Sequence, residues 1–162
     1  ESKNIIAEDL GFLTDSVRDL LKLTGFPGMK MLHFAFYDEN SEYLPRMYDT
    51  KNCVVYVSSH DSDCTYSWLK NLDKDAKKRF NKECPRNKEQ SRVYDVIEFA
   101  FTSIASLAVV PMQDYLELTN DEGRMNTPSK PDGNWTWRIK KNELTDELAI
   151  KIKNITERYD RV

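Results

Sequence analysis

Four short runs of nearly uninterrupted apolar residues, at 4–7, 29–36, 53–59 and 108–112, recur along the chain with helical or polar stretches between them. A strand with one wet face alternates apolar and polar residues, whereas an unbroken apolar run suits a strand covered on both faces, as crossover helices cover a parallel sheet. The run CVVYVSS at 53–59 is the clearest case: it is rich in the β-branched and aromatic residues that strands favour, and it stops in the polar cluster HDSDCT at 60–65. Between the runs the apolar spacing turns helical. Val17, Leu20 and Leu21 share a face within 14–24, with Thr14 as N-cap and Gly25 as stop; 66–83 is helical; and 91–106 places Val93, Val96, Ile97, Ala100 and Ile104 on one side. A short helix at 114–118 and a last amphipathic helix from Thr145 complete the series. The order β-α-β-α-β-α-β-α predicts parallel strands with right-handed crossovers. Four βα units make an α/β half-barrel, half of a (β/α)8 barrel, or a small open sheet whose free edges invite a second copy.

Composition narrows the function classes. With 24 Lys and Arg against 27 Asp and Glu, the net charge of −3 offers no basic footprint for nucleic acid or an anionic membrane. No apolar stretch approaches the roughly 18 residues of a membrane-spanning helix. The first residues, ESKNIIAEDLG, show neither a signal-peptide core nor an initiating Met, which reads as a piece cut from a longer chain. Cys53, Cys64 and Cys84 are odd in number and match no zinc or redox motif, so reduced thiols in a cytoplasmic setting are expected. The sequons at Asn134 and Asn154 would matter only in a secreted protein. Only five glycines are present and none forms a phosphate-binding loop, so no cofactor is expected, and no metal.

In parallel α/β folds the chemistry gathers at the carboxyl ends of the strands. Those ends carry Glu8-Asp9, Asp38-Glu39, His60-Asp61 with Asp63, and Gln113-Asp114. Carboxylates on one rim suit glycoside chemistry, in which one protonates a leaving oxygen while another stabilises an oxocarbenium-like centre. Phe34, Tyr43, Trp135 and Trp137 offer apolar faces for sugar rings. The plainer reading makes the acids helix N-terminal groups favoured by the dipole and His60 a hydrogen-bonding strand-end residue. Cys64 beside His60 invites a nucleophilic reading, but no cysteine-enzyme pattern accompanies it.

Six blocks in order, IIAEDLG at 5–11, GFPGMKMLHFAF at 25–36, VVYVSSHDSDCT at 54–65, VVPMQD at 109–114, RMNTP at 124–128 and GNWTWR at 133–138, resemble the 4-α-glucanotransferases of glycoside hydrolase family 77, also called amylomaltases or disproportionating enzymes. The resemblance runs over essentially the whole chain. It implies that residues 1–162 form a single fragment, the C-terminal half of a (β/α)8 catalytic barrel, the last four or so βα units. It also implies a retaining transfer of α-1,4-glucan segments, with maltooligosaccharides as partners.

Matched residue by residue, the resemblance makes Glu8 the general acid/base, Asp61 the carboxylate that stabilises the transition state, and His60 its sugar-binding neighbour. Phe34, Asp38 and Asn126 would line the glucan cleft. The family's nucleophilic aspartate lies before the EDLG block and has no counterpart in this sequence, which implies that this chain alone is inert. Ser62 and Cys64 stand where the family usually has Asn and Thr, His33 where it has Gln, and Ser129 where it has Gly. Two further readings remain: a non-catalytic glucan-binding or self-associating half-barrel module, a homodimer through its open strand edges, and another α-amylase-like hydrolase.

Overall fold

The apolar run at 53–59 supplies the central strand of a parallel sheet in a computed structural model that describes residues 4–161. The strands are β1 (Gly28–Met31), β2 (Cys53–Tyr56) and β3 (Leu107–Val109), ordered β1-β2-β3. Gly28 pairs with Cys53 and Met31 with Tyr56 on one edge of β2, and Val54 pairs with Leu107 and Tyr56 with Val109 on the other. The Val57 amide adds a bond to the Val109 carbonyl at 3.1 Å. Alternate side chains of a strand go to opposite faces. Val55 and Val57 therefore join a core with Trp68, Phe80, Ile97 and Ala100, whereas Tyr56, Met29 and Val109 line an open cavity.

The helices are α1 (Asp15–Thr24), α2 (Thr65–Asn71), α3 (Lys74–Glu83), α4 (Arg92–Phe101), α5 (Met112–Tyr115), α6 (Asn120–Gly123) and α7 (Asp146–Arg158). α4 is the best covered, burying Val93, Tyr94, Val96, Ile97, Ala100 and Phe101, and the Ser91 hydroxyl caps it by accepting from the Tyr94 amide. Its buried Asp95 accepts from Arg86 at 2.9 Å and Arg92 at 2.8 Å, which offsets the cost of burying a carboxylate. α1 differs: it buries no residue, and Val17, Leu20 and Leu23 leave an apolar face uncovered by the described residues, with Leu23 84% exposed. No helix among the described residues is long and apolar enough to cross a membrane.

Several expectations shift. The run at 4–7 is not a strand: residues 4–10 form no ladder, and the Ala7 amide alone reaches the Pro27 carbonyl, at 2.9 Å, so the sheet has three strands rather than four. The run at 29–36 leaves the sheet after Met31 through a 3-10 turn, Leu32–Phe34, that drives Leu32 and His33 into the interior. The helical stretch at 66–83 divides at Asp73, whose carboxylate accepts from the Asp75 and Ala76 amides and starts α3. The helix expected to Ser106 stops at Phe101. The parallel α/β class stands.

A carboxylate docks the segment at 4–10. Asp9 Oδ1 accepts from the Met29 amide at 2.6 Å, and a Cβ on Gly28 would collide with the Asp9 carboxylate. Glycine at 28 therefore permits the approach that fixes Glu8, one residue from Asp9, beside β1. Gly28→Ala should destabilise the protein by about 1–3 kcal/mol and speed hydrogen exchange at the Met29 amide. Unchanged exchange at Met29 would show that Asp9 does not hold the segment.

Candidate active site

Parallel pairing brings the carboxyl ends of all three strands to one side, and a cavity of about 820 Å³ opens there. Glu8, Phe34, Tyr56, Ser58, His60, Asp61 and Asp114 contribute to its lining. Glu8 is exposed at the rim. Burial raises the pKa of the Tyr56 hydroxyl and the charge of Glu8 adds to the rise, which links Glu8 electrostatically to the end of β2.

His60 and Asp61 project from the loop after β2, and His60 Nε2 lies 3.3 Å from Asp61 Oδ1. Residues 124–138 close over that loop. The Asn126 amide donates to the His60 carbonyl at 3.0 Å, and Asn126 Nδ2 donates to Asp61 Oδ1 at 2.5 Å. Arg124 pairs with Asp63. The ring of Trp135 sits 5.0 Å from that of His60, with the backbone of Trp135 at φ 63°. A bulky aromatic at positive φ is an outlier that costs of order 1–3 kcal/mol. The Trp135 amide bond to the Met125 carbonyl at 2.7 Å helps hold it there, and 54% of Trp135 remains exposed.

The structure thus gathers Glu8, Phe34, His60 and Asp61 around one cavity and ties Asn126 to Asp61. Asp38 does not line that cavity. It stands on the far side of the 3-10 turn after β1, where its carboxylate accepts from the Asn40 amide at 2.7 Å and closes a local turn. Cys64 is buried, its thiol pushed up to about 12 chiefly by burial, so it is a protonated core residue rather than a nucleophile. No three His, Cys, Asp or Glu side chains among the described residues cluster closely enough to hold a metal ion.

Beneath the rim lies a buried polar cluster. Asp114 accepts from the Ser58 hydroxyl at 2.5 Å and from the Thr65 amide at 2.8 Å. Thr65 Oγ1 meets His33 Nε2 at 3.0 Å, and the His33 ring stacks on Trp68 at 4.2 Å. Burial raises the Asp114 pKa, and the hydrogen bond from Ser58 opposes the rise.

A parallel sheet joined by crossover helices, with a cleft at the carboxyl ends of its strands, defines an α/β protein whose site lies at those ends. The family profile for 4-alpha-glucanotransferases, glycoside hydrolase family 77, matches residues 1–145, and the chain belongs to that family. It is 42% identical over 159 residues to the 4-alpha-glucanotransferase of Clostridium butyricum, covering 97% of this chain and 32% of that protein. It is 39% identical over 163 residues to the chloroplastic/amyloplastic 4-alpha-glucanotransferase of Solanum tuberosum, covering 98% of this chain and 28% of that one. The solved amylomaltase of Streptococcus agalactiae, in complex with acarbose, matches with a TM-score of 0.90 at 34% identity, covering 96% of this chain and 31% of that chain. The chain spans about a third of the length of the relatives it matches.

Burial lowers the His33 pKa from 6.5 to about 3, so the folded protein holds this imidazole neutral. The unfolded chain protonates it near pH 6.5. The stability that goes with the neutral ring is therefore present above that pH and is lost as the pH falls from about 6.5 toward 3, by up to about 1.4 kcal/mol per pH unit for the one proton. His33→Gln keeps a polar group facing Thr65 and removes this slope. Denaturant melts between pH 7 and pH 4 should decline less steeply in the variant than in the wild type. Parallel declines would mean that the folded protein accepts the proton.

Proposed function

We propose that this chain is the C-terminal part of the catalytic barrel of a 4-α-glucanotransferase, which transfers segments of α-1,4-glucan to a new 4-hydroxyl with retention. The observation that carries the reading is the convergence of Glu8, His60 and Asp61 on one cavity at the strand ends. Glu8 acts as general acid/base. Its proton passes to the glycosidic oxygen as the C1–O bond breaks and C1 bonds to an aspartate; Glu8 then takes the proton of the acceptor 4-hydroxyl as that oxygen attacks C1 and releases the aspartate. Asp61, held by Asn126, accepts hydrogen bonds from sugar hydroxyls and stabilises positive charge at C1. His60 contacts the same sugar, and Phe34 and Trp135 offer it apolar faces.

On this reading the nucleophilic aspartate belongs to the part of the barrel that this chain, spanning about a third of its relatives' length, does not cover. Retaining chemistry needs two carboxyl groups about 5 Å apart, so this reading has the chain alone inactive. The uncovered face of α1 and the open cavity on the inner side of the sheet support a larger barrel around it. The acarbose complex of the Streptococcus agalactiae amylomaltase supports a maltooligosaccharide-like ligand in this fold. Three unpaired, buried cysteines suit a reducing compartment such as the cytoplasm.

In a maltotriose disproportionation assay the full-length protein that carries this chain should produce longer and shorter glucans, whereas the chain alone should give none. Activity of the chain alone would place the nucleophile within it. Glu8→Gln in the full-length protein should lower turnover by about 10²-fold or more, and normal turnover would remove Glu8 from the role.

Trp135→Ala should raise KM for maltotriose by about tenfold, with a smaller effect on kcat, as expected for loss of a stacking face. An unchanged KM would remove Trp135 from the cleft. The exposed α1 face also favours a second reading, a self-associating half-barrel. Light scattering separates the two: a monomer unaffected by maltooligosaccharide leaves only the enzyme reading.

A further inference from the structure

We propose that Asp114 is a positioning residue for the His60–Asp61 pair, because its single buried carboxylate ties together both roots of the loop that carries them. The inference rests on the reading of Asp61 as a transition-state-stabilising carboxylate. The loop leaves β2 through Ser58 and enters α2 at Thr65. Asp114 Oδ2 accepts from the Ser58 hydroxyl at 2.5 Å and Asp114 Oδ1 accepts from the Thr65 amide at 2.8 Å, so one side chain spans the base of the loop. All three residues are buried, Asp114 at 1% exposure.

Asp114 is itself anchored from below. Its amide donates to the Pro111 carbonyl at 3.0 Å, and the carbonyl of the next residue, Tyr115, accepts from the Tyr94 hydroxyl of α4 at 2.8 Å. Thr65 is held from the other side by His33, which is stacked on Trp68. Groups that follow β1, β2 and β3 thus meet in one cluster directly under the loop.

The chemistry of the clamp separates it from ordinary core filling. Among the described residues no Lys, Arg or His forms an ion pair with Asp114, although burial strips a carboxylate of its hydration. Its compensation is the two hydrogen bonds that its carboxyl oxygens accept, from the Ser58 hydroxyl and the Thr65 amide. Bonds of that kind stiffen the loop roots, and a displacement of about 1 Å at a reacting group costs about 10²-fold in rate. A neutral residue would fill the space with less desolvation, but it would not present two acceptor oxygens to the two roots. Asp114 touches no sugar in this scheme; it acts through the loop.

The test uses the full-length protein, with kcat and KM for maltotriose disproportionation measured beside near-ultraviolet circular dichroism and thermal melts. Asp114→Ala, assayed at a temperature where its spectrum is native, should lose about 10²-fold in kcat while KM stays within about threefold. Asp114→Asn keeps an acceptor for the Thr65 amide and can donate to the Ser58 oxygen, so it should recover about tenfold of the loss. Ser58→Ala cuts one arm of the clamp and should lower kcat by about tenfold, and it supplies the answer if Asp114→Ala does not fold. Folded Asp114→Asn and Ser58→Ala proteins that melt earlier yet turn over at the wild-type rate would reduce the cluster to a structural role and overturn the proposal. Asp61→Asn serves as the control. If it is impaired while the Asp114 and Ser58 variants are not, positioning alone fails; if Asp61→Asn turns over normally, the functional reading of the loop fails and positioning with it.

Discussion

Everything in this chain is arranged around the parallel pairing of β2 on both of its edges. A strand bonded to β1 and β3 in register sends Val55 and Val57 to the helices and Tyr56 to the opposite face. Helices α2, α3 and α4 cover the first face with the main core, while the second opens onto the cavity. Parallel direction then puts three strand ends on one side, and the polar groups of the loop after β2 and of the segment after β3 reach the same rim. The chemistry follows from that geometry: His60 and Asp61 come from the end of β2, Asp114 from beyond β3, and Glu8 arrives beside β1 because Asp9 is docked on the Met29 amide.

The rim is held by polar bonds rather than by packing. Asn126 binds both the His60 carbonyl and the Asp61 carboxylate, Arg124 binds Asp63, and Asp114 fastens the roots beneath. An exposed loop fixed mainly by contacts to water would sample many positions, and each immobilised side chain carries an entropic cost. In this loop that cost is offset by bonds to groups that are already ordered, so Asp61 is presented with its neighbours in place. The same bonding explains an exposed Trp135 at positive φ: the strain persists because the surrounding bonds over-determine the loop.

Much of the fold was legible in the residues. The run at 53–59 predicted a strand because it is rich in β-branched residues, although only one of its faces is covered by helices, and the apolar face of 91–106 predicted α4 because its spacing is helical. The HD pair at 60–61 was visible as a strand-end site because the apolar run stops there. What failed depended on partners distant in sequence. Residues 4–7 read as a strand, but only one backbone bond to Pro27 forms, since ladder formation depends on the neighbour's register. Asp38 read as a cleft residue from the resemblance alone; the 3-10 turn at Leu32–Phe34 follows β1, and Asp38 accepts from the Asn40 amide outside the cavity described. The break at Asp73 was a readable N-cap signal, overridden in the sequence by the helix-forming residues on either side. The docking of 124–138 onto 60–63 had no periodicity to reveal it, being built from side chain to backbone bonds.

The proposed division of labour between this chain and the remainder of a barrel is tested most directly by trapping the covalent sugar that the proposal requires. In the full-length protein with Glu8→Gln, an α-maltosyl fluoride donor needs no acid to lose fluoride, while the missing base slows release of the sugar. The glycosyl-enzyme should accumulate, and peptide mass mapping should find the added sugar on an aspartate outside these 162 residues. Sugar mapped to Asp9, Asp38 or Asp63 would mean that the chain carries its own nucleophile and that the roles assigned to its carboxylates are wrong.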